Sequence, residues 1–312
     1  MRLLALRFGV FAITLLGAVG AVFLLLWSAP GDPIDLLPNA DELRPVLEVE
    51  WRLDEPLPLR FGAYVGGALQ GDLGISLAYR PGMPVTEVIA GPALRSLGWL
   101  VAALLLTLAW GTTLAWWTAG RSSVERKVLQ AISILPVFLL AHLAVHLING
   151  ATHWLIEAER IARPAWFALP GEASPFRSLL AVVVLAVGSG ALAEVRAEVE
   201  SALGDMRRSG WATAVRARGG RLAPHLLRNL IGPLTTIASN RAAFFVGGLV
   251  ILEKVLLLNG VGSILWQAAV LRDYPLALGI TVVLAAVVCA SRLLGDTLRL
   301  AVDPRLRTGA TS

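Results

Sequence analysis

At 312 residues, 56% of them hydrophobic and only 16% charged, the chain departs from soluble domains, which run at about 45–50% apolar and ~25% charged residues. The formal net charge of +5 is no sign of nucleic acid, because Lys and Arg gather between long apolar runs, as in a polytopic membrane protein. One cysteine, Cys289, excludes a disulfide or a thiolate metal site within one chain.

A span needs about 20 mainly apolar residues to cross the hydrocarbon layer. The first run, about 8–28, follows Arg2 and Arg7. It is long for a signal-peptide core, and Ser28-Ala29-Pro30 is a poor cleavage site, so residues 1–28 are expected to be an uncleaved transmembrane helix. Residues 29–96 are rich in Asp and Glu and read as an ordered external segment. Within it, Pro turns mix with Phe61, Tyr64 and Leu69, and Gly71-Asp72-Leu73-Gly74 reads as a turn. Residues 97–312 carry five further spans, near 97–119, 128–148, 178–194, 230–252 and 275–294. The fourth is short and runs into Glu194 and Arg196, and the sixth carries Arg292 near its end.

Orientation follows the basic loops. A cytoplasmic N-terminus puts Arg121, Arg126 and Lys127 inside. With them go Arg196, Arg207, Arg208, Arg216, Arg218, Arg221 and Arg228, and, in the tail, Arg299, Arg305 and Arg307. The predicted fold is all-α, a polytopic bundle of six transmembrane helices with both termini cytoplasmic.

Within the third span, His142 and His146 are four residues apart and share a helix face. They serve as interhelical hydrogen-bonding groups or, with too few further ligands, as part of a metal route. Trp110, Trp116 and Trp117 read as packing or interface residues. Between the fourth and fifth spans, Trp211, Ala214 and Val215 share one side of a short helix, and Ala212, Ala214 and Ala217 would admit a close neighbour. Gly219-Gly220 should stop that helix, since glycine accepts the left-handed geometry that ends it, and Pro224 suits the first turn of the next. The stretch is either ordinary positive-inside charge on an interfacial helix or a docking element that transmits a partner's motion into the membrane. In the fifth span, Asn240 and Arg241 are anomalous. A charge at mid-bilayer costs at least about 2.5–3.5 kcal/mol on insertion scales, so Arg241 must face a pathway or a partner.

The run WATAVRARG from Trp211 to Gly219, with His225-Leu-Leu-Arg-Asn229 and Pro233, resembles the cytoplasmic signature of ABC-importer permease subunits, and most of all their dipeptide/oligopeptide/nickel branch. Pro30-Gly-Asp-Pro33, Leu53-Asp-Glu-Pro-Leu57, Gly71-Asp-Leu-Gly-Ile-Ser-Leu77, Gly260-Val-Gly262, Arg272-Asp-Tyr-Pro-Leu276 and Asp303-Pro-Arg305 match that branch in order. Val215 stands where Ala is common, Arg218 where Lys is common, and Asn240-Arg241 in a stretch usually uncharged. The resemblance implies a coupling helix, placed at 205–219, seated in a groove of an ATPase through Trp211, Ala214, Val215, Arg216, Ala217, Arg218 and Gly219. It implies pathway candidates at Asn240 and Arg241, and external-gate candidates at Glu253, Asp273 and Tyr274. It further implies a bacterial inner-membrane location, a second permease subunit, two ATPase subunits and an extracytoplasmic binding protein, with no cofactor in this chain. Peptides are the expected cargo, with nickel or another small solute as the alternative.

No phosphate-binding G-x-x-x-x-G-K-[ST] pattern occurs, so ATP hydrolysis is expected on separate subunits. A membrane enzyme would need convergent acids, bases or metal ligands, and neither H-E-x-x-H nor G-x-S-x-G is present. An enzyme or an envelope scaffold remains the reading of another class, separated from a permease by whether an ATPase co-purifies.

Overall fold

In a computed structural model, the described residues are 2–28, 34, 40–41, 44–45, 48, 52, 54–118, 124–160 and 175–302. Pro30-Gly-Asp-Pro33, Leu53, Arg121, Asp303-Pro-Arg305 and Arg307 lie outside them. The helices are α1 (Arg2–Ser28), α2 (Leu57–Leu69), α3 (Val85–Thr118), α4 (Val124–Ser133), α5 (Val137–Glu157), α6 (Pro175–Val187), α7 (Ala191–Arg208), α8 (Gly210–Ala217), α9 (Leu222–Val255), α10 (Val261–Val270) and α11 (Tyr274–Val302). Among the described residues no strand forms beyond an isolated bridge between Ile75 and Pro84, and six helical stretches are long and apolar enough to cross a membrane. The expected all-α, six-span architecture is what the chain forms.

Two spans differ from expectation in an instructive way. The third was expected at 128–148 but is α5, Val137–Glu157. Pro136 is the cause: it has no N–H to donate and its ring obstructs the preceding turn, so the apolar run is divided. Val124–Ser133 becomes a separate helix bearing Glu125, Arg126 and Lys127. The fourth, expected at 178–194, runs from Phe176 to Arg208 but breaks at Gly188–Gly190. There Ser189 (φ 48°) and Gly190 (φ 78°) take left-handed geometry. Hydropathy sees the apolar half of this element and not its charged continuation.

By packing, the chain falls into two units: residues 1–96 with 259–290, and residues 97–258 with 291–312. The first contains α1, α2, α10, the first turns of α3 and the first half of α11. Its core joins Leu73, Val88 and Ile89 to Ile264 of α10 and to Leu276 and Ile280 of α11. A Cβ at Gly279 would come within 2.5 Å of Val85 Cγ1, so only glycine lets α11 pass this close to α3. The α10 N-terminus is fixed to α3, because Ser96 Oγ accepts the Val261 N–H at 3.0 Å and Arg95 Nε donates to the Asn259 carbonyl at 2.8 Å.

The second unit packs α9 along α5, α6 and α7. Val195, Val199 and Leu203 of α7 meet Leu226, Leu230 and Ile237 of α9 and Ala115 of α3. The α3–α7 crossing is close at Gly111, where a Cβ would lie 2.7 Å from Val195 Cγ1. The break in the fourth span is held from outside: Ser189 N–H donates to the Leu135 carbonyl at 3.3 Å, and Ser189 Oγ accepts the Val137 N–H at 3.0 Å. Thus the Gly-Ser-Gly turn supplies a cap for the start of α5, whose first N–H groups have no partner within the helix.

Candidate functional site

The basic elbow is built by three consecutive devices. Helix α7 ends at Ser209, whose backbone is extended (φ −66°, ψ 152°) and whose hydroxyl donates to the Met206 carbonyl at 2.6 Å. Helix α8 then runs for two turns, 210–217, shorter than the expected 205–219 because residues 205–208 complete α7. Beyond it, Gly219 adopts φ +68°, its N–H bonds the Arg216 carbonyl at 2.9 Å, and the Gly220 N–H bonds the Val215 carbonyl at 2.9 Å. These paired bonds across a left-handed glycine are a Schellman closure, which satisfies carbonyls that a helix end leaves open. The expected Gly-Gly stop therefore works as argued, and Pro224 falls in the first turn of α9 as argued.

The elbow is stiff on its inner side. Arg216 Nε donates to the Ala212 carbonyl at 3.3 Å, and its guanidinium also bonds the Arg207 carbonyl in the last turn of α7. The Trp211 ring lies 6.4 Å from the His225 ring of α9. Of the small residues expected to admit a neighbour, Ala212 is buried and turned inward, whereas Ala217 is exposed and Ala214 half-buried. Trp211, Thr213, Arg216, Ala217, Arg218 and Gly219 form the outward side, with Val215 half-buried beneath.

Helix α7 carries charge on two faces that the sequence reading left unused. Glu194 and Glu198, one turn apart, both engage Arg241 of α9, the second at 3.2 Å. Arg196 and Glu200, the next such pair, face α4: Arg196 is 3% exposed and bonds Glu125 at 2.9 Å and Glu200 at 3.0 Å. The i,i+4 spacing was the available signal. Arg241, one of the two pathway candidates, is thus the ion-pair partner that a charge in a span requires, while Asn240 is exposed.

The external-gate candidates separate. Glu253 is wholly buried near the end of α9 in the second unit. Asp273 and Tyr274 are buried in the first. Asp273 Oδ2 accepts the Ser76 hydroxyl at 2.6 Å and the N–H groups of Leu77, Ala78 and Tyr79 at 3.0–3.1 Å. A carboxylate receiving this many donors is a structural anchor for a loop. Two separate stretches of the family resemblance, 71–77 and 272–276, are therefore one structure. Tyr274 stands edge-on to Trp27 with ring centroids 5.7 Å apart. His142 and His146 are exposed on α5 with their Nε2 atoms 2.9 Å apart, and among the described residues no group of three or more His, Cys, Asp or Glu converges as a metal site would.

Comparison with known proteins fits this arrangement. Residues 111–308 match the family described as binding-protein-dependent transport system inner membrane component. The chain is 30% identical over 301 residues, covering 92% of both chains, to a putative peptide permease protein of Brucella ovis. It is 27% identical over 309 residues to the glutathione transport system permease protein GsiC of Pectobacterium atrosepticum, covering 94% of this chain and 95% of that one. The GsiC protein of an Escherichia coli strain is 26% identical over 304 residues, with 92% of each covered. A likeness over nine-tenths of both chains, in a helical chain with six stretches long and apolar enough to span a membrane, leads to one conclusion: the chain belongs to the family of inner membrane components of binding-protein-dependent transport systems.

Proposed function

We propose that this protein is the permease subunit of an ATP-driven peptide importer, pairing with a second permease, two ATPase subunits and an extracytoplasmic binding protein. The observation that carries the reading is the likeness over 92% of both chains to a putative peptide permease, with glutathione permeases, which act on a small peptide, next to it. Both termini are cytoplasmic in this reading, and the chain needs no cofactor of its own. Helix α8 is the coupling helix. Trp211, Arg216, Ala217 and Arg218 meet the ATPase, Ala214 and Val215 shape the underside, and Gly219 sets the angle at which the chain enters α9. Because α8 is bonded to α7 and α7 is ion-paired to α9, ATPase closure moves these helices together and alternates access to the pathway. Asn240 and Arg241 lie beside that pathway, and Glu253, Asp273 and Tyr274 brace its external side.

The test is purification of the assembled complex. An ATPase subunit should co-purify, and its hydrolysis should rise when a peptide-loaded binding protein is added. Changing Trp211 and Arg218 to Glu should remove the ATPase from the complex while leaving the permease in the membrane. A complex that transports peptide with α8 scrambled, or that contains no ATPase, refutes the proposal.

A further inference from the structure

Within the first unit, a cavity of about 260 Å³ opens between the end of α1, helix α2 and the start of α11. Its aromatic wall is formed by Phe23, Trp27, Tyr64 and Tyr274. The Arg60 guanidinium carbon lies over the Trp27 ring, 3.7 Å from its centroid, and burial lowers the Arg60 pKa from the ordinary arginine value. Tyr64 lines the same cavity, and its hydroxyl is buried and has no hydrogen-bond partner. Burial raises the Tyr64 pKa well above that of a free phenol, so the hydroxyl keeps its proton and remains a donor. Asp72 also lines the cavity, and its Oδ1 accepts the Gly74 N–H at 2.9 Å.

The depth of the cavity follows from counting. In a six-span chain the first span ends on the same side of the membrane as the sixth begins. Trp27 is one residue from the end of α1, and Tyr274 is the first residue of α11. Both therefore sit at headgroup level, where Trp and Tyr are favoured. Apolar side chains of the same helices are exposed: Ile13, Leu24 and Leu25 of α1 and Leu59 of α2. The opening is smaller than the ~300–1,000 Å³ of an ordinary drug-sized ligand site, which suits a headgroup whose remainder lies elsewhere.

The geometry points to a phospholipid site for a zwitterionic phosphoethanolamine headgroup: Arg60 and the Tyr64 hydroxyl hold the phosphate, Asp72 and the aromatic wall hold the ammonium, and the acyl chains run down the exposed face of α1. Arginine forks match phosphate oxygens, a buried hydroxyl donor costs stability until it is used, and aromatic faces attract an amine cation. Arg52 also lines the cavity but is paired with Glu55 at 3.5 Å, so Asp72 disfavours a headgroup that bears only negative charge. The site rests on the membrane setting of the family and not on peptide as the cargo, so its test is a binding measurement independent of transport.

The full complex is placed in phosphatidylcholine nanodiscs doped with a phosphatidylethanolamine whose acyl chain carries a diazirine, and the crosslinked peptides are mapped. Labelling is expected on residues 13–28 or 57–74, at least about tenfold weaker in both Arg60→Gln and Tyr64→Phe, a loss in keeping with one hydrogen bond to a charged group. Tyr64→Phe keeps the ring packing and serves if Arg60→Gln fails to assemble. An equally photoreactive phosphatidylglycerol should label these peptides several-fold less. Unchanged labelling in Tyr64→Phe, equal labelling by phosphatidylglycerol, or displacement of the lipid by a soluble tripeptide would each overturn the assignment.

Discussion

Single side chains in this protein act mainly as ties between segments distant in sequence. Asp273 is the clearest: removing its carboxylate strands a buried serine hydroxyl and three N–H groups in residues 76–79. Each unmet donor costs about 1–3 kcal/mol when buried, less where water reaches it. Asp273→Ala should therefore destabilise the first unit by about 3 kcal/mol, seen as faster proteolysis between residues 71 and 84 with the second unit unchanged. Arg241 calls for a different experiment because Glu194 and Glu198 are about half exposed. Arg241→Gln alone leaves two adjacent carboxylates uncompensated. The triple variant with Glu194→Gln and Glu198→Gln should recover about 1 kcal/mol of the loss in thermal unfolding, the coupling expected of a partly screened ion pair. If the single and triple variants are equally unstable, Arg241 owes its place to something other than these acids. The need for a partner at Arg241 was legible from the price of charge in a span, but its identity was not, since 43 and 47 residues separate the carboxylates from the arginine. Asp273 was legible only as part of a resemblance, because nothing in local sequence ties it to Ser76, 197 residues away.

At the level of elements, proline and glycine decide what hydropathy leaves open. The third span was misplaced because residues 128–148 are apolar on average, whereas Pro136 imposes a boundary that averaging ignores. The Gly188-Ser189-Gly190 turn offers little in sequence beyond two glycines around a serine, yet it divides the fourth span and caps the fifth helix. Gly190→Ala would force a Cβ into φ +78° and to within 3.2 Å of Ser133 Cβ. A non-glycine residue in this conformation costs about 1–2 kcal/mol. Hydrogen exchange should then quicken at the first amides of α5, and Ser189→Ala should reproduce the effect at Val137, where the hydroxyl cap is lost. Protection at Val137 unaltered by Ser189→Ala would mean that this contact does not hold the joint. The closure of α8, by contrast, was fully legible. A glycine pair after a short helix carries its own mechanism, and Gly219 and Gly220 meet it bond for bond.

For the molecule as a whole, composition decided the class and the lengths of the apolar runs the span count, because a bilayer demands runs of fixed length. The division into two packed units was not written there; it depends on Gly279 and Gly111 permitting particular close crossings, and no span average records those. Orientation is the property on which the coupling proposal stands, since nucleotide is cytosolic, and it can be tested without transport. Cys289 is the single native cysteine and is buried, so Cys289→Ser gives a background free of thiols. On it, Leu69→Cys, at a site 85% exposed in the segment before the second span, should react with a membrane-impermeant maleimide in intact cells. Arg218→Cys, at an exposed position just past α8, should react only after permeabilisation. Adding the ATPase partner should then protect position 218 and leave position 69 reactive. The inverse labelling pattern would place the elbow outside the cell, where no ATPase could reach it. Labelling at 218 that the ATPase fails to block would keep the topology and remove α8 as the contact, so the two halves of the proposal fail separately.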